Sequence, residues 1–421
     1  MTRLAEDIKE NGQYYEYLEP MTRRLNAPGA TNLVRAKEFP EMLTNLDACL
    51  DYMQAHSKQR EAATYQSRYR LLLTRALTLI RVHFTNTLRS LAADVSQKVA
   101  DKQLNDTTQS ALLYAKFRVG APEMKELGLE IQKRAVLTAD AEEGSEPEYQ
   151  SLMNELYQSY SSTRGRLVLP IVTRKMAEIA AVDDSVRDVV AFARNAIGFV
   201  RGMCLDEYEL WGEWFVGDGG VYDFLEAIYE PLFDHLRPRT IHETRLEKLC
   251  ELCTFIQSRY MQSGEDGDSE DEQSLKAYTG RKLDFAVLIQ PALADAQTRL
   301  VFLVLAALRD EIEYFKPKPE DLEYPRKASR KSSVTVNGKQ PVLSGRKGSI
   351  KGTADRPVPK TPVTADQDGD AMFDAQWGID SKQSGDWFPT LPRAVRLLSR
   401  IYRLVNVSGQ SPATILDGDV R

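Results

Sequence analysis

Cysteine is scarce in this chain: Cys49, Cys204, Cys250 and Cys253 are the four found in 421 residues. That is too few for a disulfide framework at such a length. The phosphate loop Gly-x-x-x-x-Gly-Lys-Ser/Thr is absent, and so are Gly-x-Gly-x-x-Gly after a strand, His-Glu-x-x-His and Gly-x-Ser-x-Gly. Each absence removes a large enzyme class. Glu-x-x-His, from which helical bundles build carboxylate metal sites, does not occur either. No signal sequence is visible, because Met-Thr-Arg-Leu-Ala-Glu-Asp-Ile runs directly into charged residues, and the chain reads as cytosolic and reducing. The longest strongly apolar run, Leu300 to Leu308, falls short of the roughly 20 residues a spanning helix needs. A buried core helix is expected there, and any membrane association is expected to be peripheral. The formal charge of −6 gives no general case for nucleic-acid binding.

Glycine and proline are also missing, from Glu41 all the way to Val119. Phe39, Met42, Leu43, Leu46, Cys49, Leu50 and Met53 recur at steps of three and four. Tyr65, Tyr69, Leu72, Leu73, Ala76, Leu77, Ile80, Phe84, Leu88, Leu91 and Val95 do the same. This is the period of one buried helix face. It predicts an all-α protein of helical bundles, drawn out into a rod by a second helix of about 35–40 residues. No strict heptad persists long enough for a simple coiled coil.

Breaks divide the rest. Gly120–Pro122 is expected to end a helix, and Gly144–Pro147 to end another and start the next with Ser145 as N-cap. Leu236-Arg-Pro-Arg239 is expected to kink or end a helix, and Pro291 to kink the one spaced from Leu275 to Phe315. Residues 264–272 are a run rich in Asp and Glu, read as a solvated loop. Residues 326–360 hold ten Lys/Arg and a single acid, Asp355, a net +9 inside a chain of −6. Across 326–386 apolar residues are sparse, which predicts disorder, although Val334 to Val342 carries an Asn-Gly hairpin signal. Thr390 is expected to cap a last helix. The resulting organisation is an N-terminal assembly segment with coiled-coil character (1–56), a helical rod (57–325), the insert (326–386) and the start of a further helical region (387–421).

Three features invite a functional reading. Cys250-Glu-Leu-Cys253, with His235 and His242 upstream, supplies half a zinc site, but the cysteines share a helical stripe with Leu246, Leu249 and Ile256, where free Cys packs as a small core residue. Core packing is expected, and no metal or cofactor. Arg-Lys-x-Ser at Ser329, Ser333 and Ser349 suits basophilic kinases, and the same basic residues suit anionic lipid headgroups. A solvated linker carrying chance motifs explains them as well. The aromatic residues Tyr14, Tyr15, Tyr17, Trp211, Trp214 and Phe215 are either partner anchors or bundle core. The N-terminal apolar pattern Leu4, Ile8, Tyr15 and Leu18 points to an assembly helix, and Tyr14, Tyr15, Tyr17, Leu18 and Leu25 are the candidate interface. His56 and His83 have no evident partner, and surface or helix-end roles are expected.

Several segments, in order, carry a resemblance. They are Tyr14-Tyr-Glu-Tyr-Leu-Glu-Pro20, Leu25-Asn-Ala-Pro-Gly29, Phe39 to Asp51, Tyr69 to Ile80, Tyr114-Ala-Lys-Phe-Arg118, Glu148-Tyr-Gln-Ser-Leu152, Leu236-Arg-Pro238, Leu249 to Cys253, Tyr314-Phe-Lys-Pro-Lys-Pro319 with Asp321 to Pro325, and Trp387-Phe-Pro-Thr390 with Leu398 to Arg403. Together they resemble the subunit 3 family of the conserved oligomeric Golgi complex, a vesicle-tethering assembly, over 14–325 and 387–405. The resemblance implies a non-enzymatic helical subunit at the cytosolic face of Golgi membranes, in the cis region, serving retrograde intra-Golgi traffic. Its implied partners are sister subunits and, through the complex, SNAREs, Rab GTPases and coat proteins. Family members have coiled-coil sequence before the Tyr14 motif and long helical regions after the Tyr402 motif. A fragment or incomplete gene product is therefore one expectation. Two other classes remain alongside: a kinase-regulated helical adaptor outside the Golgi, and a metal-binding protein using Cys250 and Cys253.

Overall fold

The computed structural model of the chain describes residues 11–100, 106–135, 147–182, 188–261, 282–322, 388–402 and 404. Among these residues every regular element is helical and no strand occurs. The chain forms two compact units, Met1–Arg239 with Arg259–Ala292, and Thr240–Ser258 with Leu293–Arg421.

The first unit is organised around its longest helix. The elements in order are α1 (Leu18–Asn26), a 3₁₀ turn (Ala30–Arg35), α2 (Phe39–Ala55), α3 (Ala62–Ala100), α4 (Asp106–Gln132), α5 (Gln150–Ala181), α6 (Val189–Trp214) and α7 (Val221–His242), whose last residues enter the second unit. Helices α1, α2, α4 and α5 and the 3₁₀ turn all pack on α3, and α6 packs on α4 and α5. The 39 residues of α3 match the length that the spacing predicts. Its buried row runs from Tyr69 through Leu73, Ile80, Phe84 and Leu88 to Val95. Helix α2 buries Phe39, Met42, Leu43, Leu46, Cys49 and Met53, and Pro40 sits in its first turn, where no backbone N–H is required. Asp188 caps α6 by accepting from the Val190 N–H at 3.0 Å.

Proline breaks this fold less than the sequence suggests. Gly120–Pro122 does not end a helix, since α4 runs through Pro122 to Gln132. Phe117, Ala121, Met124 and Ile131 are buried before and after the proline, so the packed face holds the helix through the lost hydrogen bond. Gly120 has another use there. A Cβ on it would come within 3.1 Å of Leu91 Cδ1, which marks a close approach of α4 to α3. Pro170 lies inside α5, Pro231 and Pro238 inside α7, and Pro291 inside the helix Phe285–Leu308. Leu236-Arg-Pro-Arg239 therefore does not stop α7, which reaches His242. Ser145 lies outside the described residues. The residue before α5 is Tyr149, held in the left-handed region at φ 69°.

The interior of the first unit is aromatic. Phe84 from α3, Phe117 from α4, Tyr160 from α5 and Trp214 from α6 meet, with Phe84 edge-on to Trp214 at 5.5 Å and Phe117 at 6.0 Å from it. Trp211 stands edge-on to Tyr160 at 5.3 Å. Trp211 and Trp214 are fully buried and Phe215 nearly so, which makes them bundle core. Such ring pairs add about 0.5–1.5 kcal/mol each beyond their burial. Beside them Arg164 of α5 is paired with Glu207 of α6, and both side chains are fully buried. His83 is buried too, with Nε2 3.6 Å from Glu123 on α4, which corrects its expected surface placement. Burial, helped by Arg35, lowers the His83 pKa and favours the neutral ring.

In the second unit, α8 (Leu246–Ile256) buries Leu249, Leu252, Cys253 and Ile256. The helix α9 (Phe285–Leu308) passes from the first unit into this one and is followed by a π turn, Arg309–Glu313. A last helix, α10 (Thr390–Ile401), begins at Thr390 itself, with Pro389 in the cap position and no side-chain cap bond. The Leu404 carbonyl after α10 accepts from Gln257 Nε2 at 3.1 Å and from Gln297 Nε2 at 2.7 Å. Arg400 pairs with Glu247 at 2.7 Å. The apolar run in α9 is only partly core: Leu300 and Val304 are buried, whereas Phe302 is 60% exposed and Leu305 46%. By length and composition, Phe285–Glu313 is the one helical stretch among the described residues that is long and apolar enough to cross a membrane.

Candidate partner-binding surface

Residues 11–16 are helical and lead into α1. They bring Tyr14 and Tyr15 against α2 and α3. The Tyr14 ring stacks on Tyr52 at 4.2 Å, and Tyr52 stacks in turn on His56 at 4.1 Å. Tyr15 meets Tyr65 edge-on at 4.8 Å, and its hydroxyl donates to Gln59 Oε1. The Tyr69 hydroxyl donates to the Tyr14 carbonyl at 2.5 Å. Burial, then the nearby Cys49, holds the Tyr69 phenol well above its usual pKa, so it stays a donor. Burial and the neighbouring Tyr52, Tyr65 and Glu61 raise Tyr15 as well.

The five candidate interface residues divide in two. Leu18 and Leu25 pack inside this chain. Tyr14 and Tyr15 are half-buried in the tyrosine cluster, and Tyr17 is exposed. The cluster also enlists Tyr52, His56 and Tyr65, which sequence reasoning did not group with the N-terminal tyrosines. The four-residue step from Tyr52 to His56 on one helix face was the available signal. The pairing with Tyr14, 38 positions earlier, was not visible in any local pattern.

A second concave feature lies along α5. Tyr157, Gly165, Leu169 and Thr173 form one wall, and Gly219, Gly220 and Phe224 form the other, around a volume of about 1320 Å³. Gly220 is left-handed at φ +78°, and a Cβ on Gly219 would come within 3.2 Å of Tyr157 Cε2. Only glycine allows the turn to press so closely on the ring.

Cys253 is buried and Cys250 half-buried on α8. Burial pushes their thiols up to about 11 for Cys250 and about 12 for Cys253, so both are protonated at neutral pH. A thiolate, not a thiol, is the metal ligand and the nucleophile. Among the described residues no group of three or more His, Cys, Asp or Glu is placed to hold a metal ion. His235 lies 6.4 Å from the Phe192 ring in the first unit. Ser329, Ser333 and Ser349, the acidic run 264–272 and the hairpin signal at 334–342 lie outside the described residues.

Two family profiles match the chain. "Conserved oligomeric Golgi complex subunit 3, C-terminal" matches residues 110–409, and "Conserved oligomeric Golgi complex subunit 3, N-terminal" matches residues 1–90. The chain is 28% identical over 422 residues to the Mus musculus protein named conserved oligomeric Golgi complex subunit 3, an alignment covering 96% of this chain and 47% of that protein. Against the protein of the same name in Saccharomyces cerevisiae it is 28% identical over 425 residues, covering 96% and 51%. The Dictyostelium discoideum protein of that name is 22% identical over 472 residues, covering 95% and 45%. The chain thus spans about half the length of these curated relatives. No solved structure matches it.

Proposed function

We propose a function for this chain from the premise that it belongs to the family of conserved oligomeric Golgi complex subunit 3. It acts as a non-enzymatic helical subunit of a Golgi vesicle-tethering complex, peripheral to the cytoplasmic face of cis-Golgi membranes, in retrograde intra-Golgi transport. One observation carries this: both family profiles match, in order, along an all-helical chain. The protonated thiols of α8, Cys253 buried and Cys250 half-buried, suit packing better than metal or redox chemistry. Sister subunits are the direct partners, and SNAREs, Rab GTPases and coat proteins are met through the assembled complex. Tyr14 and Tyr15, which pack against Tyr52 and Tyr65, and the exposed Tyr17 supply the first contact with a sister subunit. Ser329, Ser333 and Ser349 are sites for basophilic kinases that tune the attraction of the basic stretch for anionic lipid.

The test is affinity purification of the tagged chain from its own cells, with mass spectrometry. Stoichiometric recovery of other subunits of the same complex is expected. A chain recovered with kinases or scaffold proteins and no such subunit would instead be an adaptor outside the Golgi tether.

A further inference from the structure

From Ala62 to Ala93, α3 contains Arg68, Arg70, Arg75, Arg81 and Arg89 and neither Asp nor Glu. In a chain of net charge −6 this one-signed segment is unusual, since exposed helix faces commonly mix signs at i,i+4. Two of the five arginines are already met from the α5 side. Arg70 lies 3.7 Å from Glu148, and Arg81 is paired with Glu155. Glu148 lies in the turn that precedes α5, and Glu155 on α5 itself.

The other three arginines face outward. Arg68, Leu71, Arg75, Thr78, Val82 and Arg89 succeed one another at steps of three, four and seven and so lie on one straight stripe. The arginines are exposed and Leu71 is 70% exposed. Arg68, Arg75 and Arg89 form no ion pair and no hydrogen bond among the described residues. Arg68 and Arg75 are seven residues apart, Val82 holds the next such position and Arg89 the one after it. Unlike Arg70 and Arg81, which Glu148 and Glu155 meet, this seven-residue row has no acidic neighbour among the described residues.

We propose that this face of α3 binds an acidic helix of a partner chain, one presenting carboxylates at seven-residue intervals to Arg68, Arg75 and Arg89, with Leu71 in the seam between the helices and Val82 as the apolar member of the arginine row. Flanking charges at that spacing select partner and register between packed helices. A helix fits better than an anionic membrane. The stripe is one residue wide, and a flat bilayer would also meet Glu148 and Glu155, whose side chains are 43% and 47% exposed on its flank. The inference rests on the charge and geometry of α3 and is independent of the Golgi assignment.

The probes are a synthetic amphipathic helical peptide with Glu once per seven residues, its Gln and Lys counterparts, and phosphatidylserine vesicles. Each is titrated against the full chain by calorimetry at low and high salt. The Glu peptide is expected to bind, weakening with salt. Its affinity is expected to fall about tenfold or more in Arg68→Glu/Arg75→Glu/Arg89→Glu, as for three exposed pairs lost together. That variant is expected to gain the Lys peptide. The triple Gln variant gives the same comparison without charge reversal, and circular dichroism checks that both remain helical. Glu-peptide binding that is absent, or equal in wild type and variants, overturns the proposal. Arginine-dependent binding of vesicles without binding of the peptide overturns it in favour of a membrane surface.

Discussion

Arg164 on α5 and Glu207 on α6 face each other in the interior of the first unit, with Arg164 Nε 3.0 Å from Glu207 Oε2. Arg164 also donates from Nη1 to the Leu113 carbonyl of α4 at 3.0 Å, and its guanidinium lies 4.5 Å from the Phe117 ring centroid. Three helices are joined through one side chain. Burial alone would lower the Arg164 pKa, but the Glu207 carboxylate outweighs it and holds the guanidinium above its usual value.

Breaking this pair from one side leaves an uncompensated buried charge. Arg164→Met is expected to cost about 3–5 kcal/mol in urea unfolding, whereas the double variant Arg164→Met/Glu207→Leu recovers most of the loss. A single variant within 1 kcal/mol of wild type, to order of magnitude, would show that water reaches the site.

Gly120 and Gly220 are expected to respond oppositely to alanine. Gly120 is helical, and the atom its new Cβ would meet is the tip of the half-buried Leu91 side chain, which has room to shift. Gly120→Ala is expected to stabilise by up to about 1 kcal/mol through helix propensity. Gly220 has φ +78°, and Gly220→Ala is expected to destabilise by about 1–2 kcal/mol. Thermal unfolding of the two variants gives both signs.

The Tyr69 hydroxyl ties α3 to the backbone of the N-terminal segment. Tyr69→Phe keeps the buried ring and orphans the Tyr14 carbonyl, at about 1 kcal/mol. Amide exchange should quicken over residues 11–26 and stay unchanged in α5 and α6. Uniform acceleration would mean that the ring, not the hydroxyl, had been disturbed.

Cys253 links stability to alkaline pH. Its folded pKa is raised from 9.0 to about 12 by burial, so the folded state keeps a proton that the unfolded state releases. The resulting stability is complete below pH 9 and is lost as pH rises towards 12. Cys253→Ala should flatten this slope in denaturant midpoints taken across that range. Thiol labelling at neutral pH should be slow for Cys253 and faster for the half-buried Cys250.

Tyr17 offers a probe of the proposed assembly surface, because it is the exposed member of the three tyrosines. Tyr17→Asp is expected to reduce recovery of sister subunits while circular dichroism is unchanged. Full recovery would exclude the tyrosine surface as the contact and direct attention to the arginine face of α3.

What the sequence determined by itself was local. Apolar steps of three and four residues specified the buried rows of α2 and α3, because a helix face is a property of neighbours along the chain. The ordered motifs from Tyr14 to Arg403 specified the family. Tertiary structure decided whatever depends on residues distant in the chain. Pro122 and Pro238 read as stops, yet α4 and α7 continue, because burial on both sides of a proline offsets one missing hydrogen bond. Trp211 and Trp214 suited an interface or a core equally well until Phe84, Phe117 and Tyr160 arrived from three other helices. Leu18 and Leu25 share an apolar stripe that pointed outward to a partner, and the chain's own packing covers them. The arginines of α3 look alike in sequence. Only the position of α5 and the turn before it separates Arg70 and Arg81, which are paired with Glu148 and Glu155, from Arg68, Arg75 and Arg89, which are not, since a charge is satisfied in space and not along the chain.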